Sequence, residues 1–453
     1  MSSGGRGRVM RIVAWAAAAI VALGCVILIY LVLGPGQSDY ARGKRVAIAD
    51  YRDRNPTGVP ADFKASGDLQ RGEYLTKAAD CVVCHTSKEG VPFAGGRAFV
   101  LPFGTLYSTN ITPDLETGIG KYSDRNFLDA VHKGIGRDGA ALYPAMPYPS
   151  YSLMSDADAL AIKAYLFSLQ PVRAPAPANT LIFPFNQRVL MRIWAAMFNP
   201  DKRFEPNVEQ SAAWNRGAYL VDAMEHCGEC HTPRNLAFAL NNRKKFAGAI
   251  QAGWRAFNIT ADPASGIGTW SKEDLARYLS TGHAAGHGTA AGPMGEAVDE
   301  SISQLTGDDV AAMVTYLRTT PGVATADLHA IQDKPASDHH GEGLAADVAR
   351  EGKSVYEGSC MGCHEWSGVS PGMPFATLTG SRAVNDPTAT NVAQVVIDGA
   401  IRRDGDGLAS MPAFGNGYSN AEIASVANYV TARFGGTASH LEARDVEKLR
   451  QQD

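Results

Sequence analysis

Six of the seven cysteines in this 453-residue chain fall into one pattern that occurs three times. Cys81-Val82-Val83-Cys84-His85 is followed by Cys227-Gly228-Glu229-Cys230-His231 and by Cys360-Met361-Gly362-Cys363-His364. A Cys-x-x-Cys-His run is the attachment signature of c-type haem. Its two thiols can form thioethers to the haem vinyls, and the imidazole that follows can ligate the iron. The spacing is physical, because one helical turn sets both sulfurs on one edge of the group and the next residue projects over the metal. The expected attachment residues are therefore Cys81, Cys84, Cys227, Cys230, Cys360 and Cys363, with His85, His231 and His364 as proximal ligands. A thioredoxin-like pair would need a βαβ context, and a zinc site a second Cys pair nearby. Neither accompanies these motifs. Only Cys25 remains, so no structural disulfide is expected.

A haem that only moves electrons wants both axial positions filled, and Met opposite His raises its potential. Met146 in Tyr143-Pro144-Ala145-Met146-Pro147, Met294 in Gly292-Pro293-Met294-Gly295 and Met411 in Ser410-Met411-Pro412 follow the three histidines by 61, 63 and 47 residues. Each is expected on a loop before the last helix of its repeat. Met is usually core filler, but an adjacent Pro and equivalent places in three repeats favour ligation. Three such ligands speak against a haem peroxidase-like enzyme, which needs an open or displaceable sixth position. His283 and His287 lie among Gly282, Gly286 and Gly288, so they read as loop histidines rather than a helical metal pair. His132, His226 and His440 have no partner pattern, and His226, beside Cys227, is expected at the surface.

The elements that must position these residues also repeat. The motifs begin at 81, 227 and 360, and a chain of this length holds about three domains. A short helix leads into each Cys pair: Arg71-Gly72-Glu73-Tyr74-Leu75, Arg216-Gly217-Ala218-Tyr219-Leu220, and Glu351-Gly352 with Val355-Tyr356. Each repeat ends on a helix with an aromatic: Ala164-Tyr165-Leu166, Thr315-Tyr316-Leu317 and Asn428-Tyr429-Val430. A Gly on the first helix would let the aromatic of the last cross close to its backbone. That crossed pair resembles the frame of a class I cytochrome c domain. Periodic strands are absent, so the expected fold is all-α, with three such domains in tandem behind an N-terminal transmembrane helix. Repeats one and two also share Asn110-Ile111-Thr112…Asp114…Gly118-Ile119-Gly120 and Asn258-Ile259-Thr260…Asp262…Gly266-Ile267-Gly268, an internal duplication. These Asn-x-Thr runs match a glycosylation sequon in letters only. Gly134-Ile135-Gly136-Arg137-Asp138-Gly139 matches a dinucleotide fingerprint, but it follows a helix rather than a strand.

Ile12 to Leu33 is a run of 22 residues without a charge, preceded by Arg6, Arg8 and Arg11. It is long enough to span a bilayer, and it lacks an Ala-x-Ala-like end, which favours a retained anchor over a cleaved signal. Cys25 lies inside it. The expected boundaries are an anchor over 1–36, domains over 65–172, 209–322 and 345–436, and a tail over 437–453. The 173–208 linker opens in a stiff Pro-Ala stretch (Gln170 to Asn179) that leads into Leu181 to Phe198, where Phe183, Phe185, Leu190, Ile193, Trp194, Met197 and Phe198 crowd one short segment. Such a segment either packs between haem domains or docks on a partner or the membrane surface. The 323–344 linker, with His339 and His340, reads as flexible. The tail's Leu441, Val446 and Leu449 are expected against the third domain or a partner. A net charge of −4 gives no sign of nucleic acid as partner.

Taken together, the anchor, the three motifs and Asn-Ile-Thr…Gly-Ile-Gly followed by Tyr143-Pro144-Ala145-Met146-Pro147-Tyr148-Pro149-Ser150-Tyr151 resemble the tri-haem cytochrome c subunits of bacterial membrane-bound dehydrogenases. The resemblance covers roughly Leu69 to Phe434, and these subunits serve alcohol, aldehyde, gluconate or sugar dehydrogenases. It implies three covalent haem c groups and a partner catalytic subunit dependent on a quinone, flavin or molybdenum cofactor, with a small third subunit as a further partner. It also implies ubiquinone as electron acceptor. The chain would be the electron-transfer subunit of an alcohol or aldehyde dehydrogenase, not the substrate-oxidising one. Haem c is fitted on the outer side of the cytoplasmic membrane, which puts the domains in the periplasm behind a single pass. The retained anchor departs from relatives with a cleavable signal. A cytochrome subunit of a terminal oxidase is the alternative.

Overall fold

The computed structural model describes residues 3–33, 40–41, 43–52, 55–60, 67–331, 343–404, 407–435 and 438–451. His339, His340 and the end of the expected anchor after Leu33 lie outside the described residues. Ser3–Leu33 is one helix, and its Met10–Leu28 stretch is apolar enough to cross a membrane, with none of it buried against the protein.

Three helix pairs carry the rest. Asp68–Ala78 crosses Asp156–Ser168, Ala212–Tyr219 crosses Gly307–Leu317, and Ala346–Val355 crosses Asn420–Phe434. At each crossing the expected glycine sits against backbone. A Cβ on Gly72, Gly217 or Gly352 would overlap the carbonyl oxygen of Ala161, Ala312 or Ser425. It would also lie 3.0, 2.9 or 2.7 Å from Cβ of Tyr165, Tyr316 or Tyr429. The later helix of each pair starts on a hydroxyl cap, with Ser155, Thr306 and Ser419 accepting from the backbone N–H of Asp158, Asp309 and Glu422. In repeats two and three the first helix widens into a π turn, Leu220–Met224 and Tyr356–Cys360, just before the Cys motif.

Helices make up 45% of the structure, and the expectation of a purely helical chain missed four short antiparallel hairpins among the described residues. Their strands run two to five residues, too short to show a period; Leu101 and Gly104 flank a Pro102-Phe103 turn, and Gln251 and Trp254 an Ala252-Gly253 turn.

Repeats one and two share one continuous core, whereas residues 355–446 form another. The join between the first two is reciprocal. Asp158 is ion-paired with Arg71 of its own repeat and accepts from Tyr219 of the next (2.7 Å). Asp309 is paired with Arg216 (2.6 Å) and accepts from Tyr74 of the previous repeat (2.6 Å). The third repeat lacks this exchange: Glu422 caps its own helix through Ser419, and Glu351 accepts from Ser425. It leans on repeat two through Arg255 with Asp386 and Arg402 with Asp299, each at 2.7 Å.

The 173–208 segment serves the inter-domain role with one face. Trp194 is buried and its Nε1 donates to the Ala237 carbonyl (2.7 Å), while Phe185 stacks on Phe103 at 4.0 Å. Phe183, Val189 and Ile193 stay exposed. The tail packs on the third repeat: Val446 is fully buried there, and the Arg450 guanidinium donates to the Gly415 and Tyr418 carbonyls at 2.6 and 2.9 Å.

Candidate haem-binding centres

Each Cys-x-x-Cys-His run lies on a single helical turn: Cys81–Cys84, Gly228–His231 and Met361–His364. All seven cysteines are free thiols. Burial pushes Cys81 and Cys84 up to about 12 and Cys230 and Cys360 up to about 11. Among the described residues no group of three or more His, Cys, Asp or Glu is placed to hold a metal ion.

The three imidazoles are anchored alike. His85 Nδ1 lies 2.6 Å from the Thr109 carbonyl, His231 Nδ1 2.6 Å from that of Phe257, and His364 Nδ1 2.6 Å from that of Ala376. A carbonyl only accepts, so the proton sits on Nδ1 and the Nε2 lone pair is left for a metal. Burial lowers the pKa of all three rings, which favours their neutral form.

Reading the sequence missed those carbonyl holders, although the signal was present. Thr109 and Phe257 immediately precede the duplicated Asn-Ile-Thr. Asn110 Nδ2 donates to the Val172 carbonyl (2.6 Å), and its Oδ1 accepts from Thr112 N (2.9 Å). Asn258 repeats this with the Val323 carbonyl (2.6 Å) and Thr260 N (2.8 Å). Each buried Asn thus ties the histidine's loop to the chain leaving the last helix. Asn258→Ala is expected to cost about 1–3 kcal/mol, because a buried carbonyl and a backbone N–H lose their partners. A denaturant midpoint that falls at constant m-value checks it.

Met146 packs half-buried on the core that also holds Cys81, and its loop lies as expected between Tyr143 and Tyr148. Met294 packs on the same core with Cys227, and Met411 on the core with Cys360. The latter two are not on loops. Met294 falls in the first turn of helix Gly292–Glu300, which Pro293 starts, and Met411 ends strand Gly407–Met411. His283 opens the first strand of a short hairpin, His283–Ala284 paired with Gly288–Thr289, and His287 lies in its turn, stacked on Trp270 at 3.8 Å. His226 is not at the surface: it is half-buried and edge-on to Tyr151 at 5.4 Å, because the left-handed turn at φ 37° carries it inward. His132 is fully buried and His440 exposed.

A cavity of about 2020 Å³ gathers the second set, Cys227, Cys230, His231 and Met294, with Cys84 of repeat one and residues of repeat three; His85, Met146, His364 and Met411 do not line it. Paired thiols, a neutral Nε2 and a thioether sulfur on mainly apolar walls are the donor set that c-type haem needs.

Comparison with known proteins agrees with that chemistry. Residues 347–430 match the family described as cytochrome C oxidase, cbb3-type, subunit III. The chain is 39% identical over 410 residues to the fructose dehydrogenase cytochrome subunit of Gluconobacter japonicus, covering 84% of this chain and 82% of that one. It is 34% identical over 400 residues to the alcohol dehydrogenase (quinone) cytochrome c subunit of Gluconobacter oxydans, covering 84% and 82%. Identity to a nicotinate dehydrogenase subunit of Pseudomonas putida is 43% over 373 residues, 81% of this chain but 30% of that longer protein. Relatives with such different named substrates loosen the alcohol-or-aldehyde expectation to dehydrogenases in general. On identity over most of both chains, on the three Cys-x-x-Cys-His motifs and on the helical frame alike, the chain belongs to the family of cytochrome c subunits of bacterial dehydrogenases.

Proposed function

We propose that the chain is a membrane-anchored tri-haem cytochrome that passes electrons from a periplasmic dehydrogenase catalytic subunit to ubiquinone. The observation that carries this reading is the identical 2.6 Å Nδ1–carbonyl anchoring at His85, His231 and His364, three ligand-ready imidazoles behind three Cys pairs. Cys81 with Cys84, Cys227 with Cys230, and Cys360 with Cys363 hold the porphyrins. Met146, Met294 and Met411 close the opposite axial positions. Haem, when bound, supplies a one-electron iron couple; the chain orients it, keeps water from it and sets its potential.

Met10–Leu28 is the span, with the N-terminus inside and the three domains on the outer face. The helix Val189–Phe198 contacts the Ser3–Leu33 helix, so exposed Phe183, Val189 and Ile193 fit a face held at the membrane surface or against a partner subunit. Substrate oxidation belongs to that partner, whose cofactor is a quinone, a flavin or molybdenum. The match of residues 347–430 to an oxidase subunit favours a terminal-oxidase role for the third repeat alone. Purification of the native complex discriminates, since a co-purifying haem–copper subunit would overturn the dehydrogenase assignment.

Met146→Ala is expected to leave haem attached but lower the potential of one haem, by well over the about 59 mV that a tenfold change in a one-electron equilibrium represents. A redox titration with all potentials unchanged would remove Met146 from the ligand set.

A further inference from the structure

Two buried carboxyls face each other across the join of repeats one and two, each beside a haem-attachment motif. Asp80 precedes Cys81 and is 8% exposed; Glu225 lies two residues before Cys227 and is 6% exposed. Both line the shared cavity. Asp80 Oδ1 is buried without a hydrogen-bond partner. Ser301 serves the other only in part. Its hydroxyl donates to the Lys77 carbonyl (2.5 Å) and to Glu225 Oε1 (2.9 Å). One hydrogen is thus divided between two acceptors, which leaves Glu225 room to bind a proton.

The surroundings agree. Glu296 and Glu300 also face Asp80, and Arg97, which acts against them, is already paired with Glu296 at 2.7 Å. On the second repeat His226 faces Glu229, which Arg234 holds at 2.8 Å. The Tyr151 hydroxyl donates to the Ala79 carbonyl (2.6 Å). Burial and the neighbouring carboxylates push both acids well above the usual carboxylate range, with Asp80 raising Glu225. Two such groups titrate as a pair.

We propose that Asp80 and Glu225 form a proton-binding site coupled to electron transfer through repeats one and two. With haem held at these motifs, each electron delivered by the dehydrogenase would remove one positive charge beside the pair, and Asp80 and Glu225 would take one proton from solvent; when the electron left, they would return that proton. The inference rests on haem c being held at Cys81/Cys84 and Cys227/Cys230.

Spectroelectrochemical titration of the full-length, haem-loaded chain against pH, with chemical mediators and no dehydrogenase, tests it. A haem stain and haem count come first, and missing haem at those motifs defeats the functional reading itself. With haem present, at least one midpoint potential should fall with rising pH, approaching about 59 mV for each tenfold drop in proton concentration. Glu225→Gln should flatten that slope at unchanged haem content, and Asp80→Asn should shift its pH window. If Glu225→Gln fails to load haem, Asp80→Asn and the redox-difference infrared spectrum of the unsubstituted chain decide. A protonated-carboxyl band that changes on reduction supports the site. Potentials independent of pH, a slope retained in the loaded variants, or no carboxyl band overturns it.

Discussion

Gly217→Ala should destabilise the chain by about 3 kcal/mol and cut haem loading at Cys227 and Cys230. Propensity alone predicts the opposite, since alanine is the better helix former by about 1 kcal/mol. The new Cβ, however, would overlap the Ala312 carbonyl oxygen and sit 2.9 Å from Tyr316 Cβ. Neither atom can rotate away, so the two helices must separate, and the cost falls at the upper end of overpacking. That separation also moves Tyr219 from Asp158 and Arg216 from Asp309, which couple repeat two to repeat one. Gly307→Ala is the control, because a Cβ there meets nothing within 4 Å and should be neutral or mildly stabilising. Denaturant midpoints and haem stain measure both variants. Equal stability for the two would sink the crossing as the frame of the domain.

His231→Ala should stop electron flow through the second repeat almost completely. Losing an outer-shell partner of a metal ligand costs roughly 10–100-fold in affinity or activity, and this change removes the ligand itself. It also strips the Phe257 carbonyl of the donor at His231 Nδ1. The expected readout is a high-spin contribution in the ferric spectrum and substrate-driven quinone reduction down by more than about 100-fold in the complex. Phe257, by contrast, holds the ring only through its backbone, so Phe257→Leu should keep the low-spin spectrum. A His231→Ala protein with three low-spin haems and normal turnover would remove His231 from the ligand set.

Much of this arrangement was legible because it is local. The Cys-x-x-Cys-His spacing is one helical turn, and the crossing glycines precede each motif at a nearly fixed offset, so both survive without long-range knowledge. The apolar N-terminal run is likewise a property of consecutive residues. What was hidden depends on contacts between distant parts of the chain. Tyr74 and Asp309 are 235 residues apart, and nothing local to either marks the exchange with Tyr219 and Asp158. Asn110 and Asn258 looked like sequon decoys because their partners, the Val172 and Val323 carbonyls, follow 62 and 65 residues later. Met294 looked like a loop residue, although Pro293 is a common first-turn residue of a helix and could have placed it. His226 was misjudged because a positive φ at a non-glycine residue cannot be read from sequence. Short hairpins of two to five residues escape any periodicity test.

Three haems on one chain, one at each Cys-x-x-Cys-His motif, is the central claim. Intact-mass measurement of the chain purified from its native membrane tests it most directly. The expected polypeptide is heavier by three covalently bound haems, with no unmodified Cys-x-x-Cys-His pair in the digest. A mass showing two haems or fewer in the fully matured protein would contradict it.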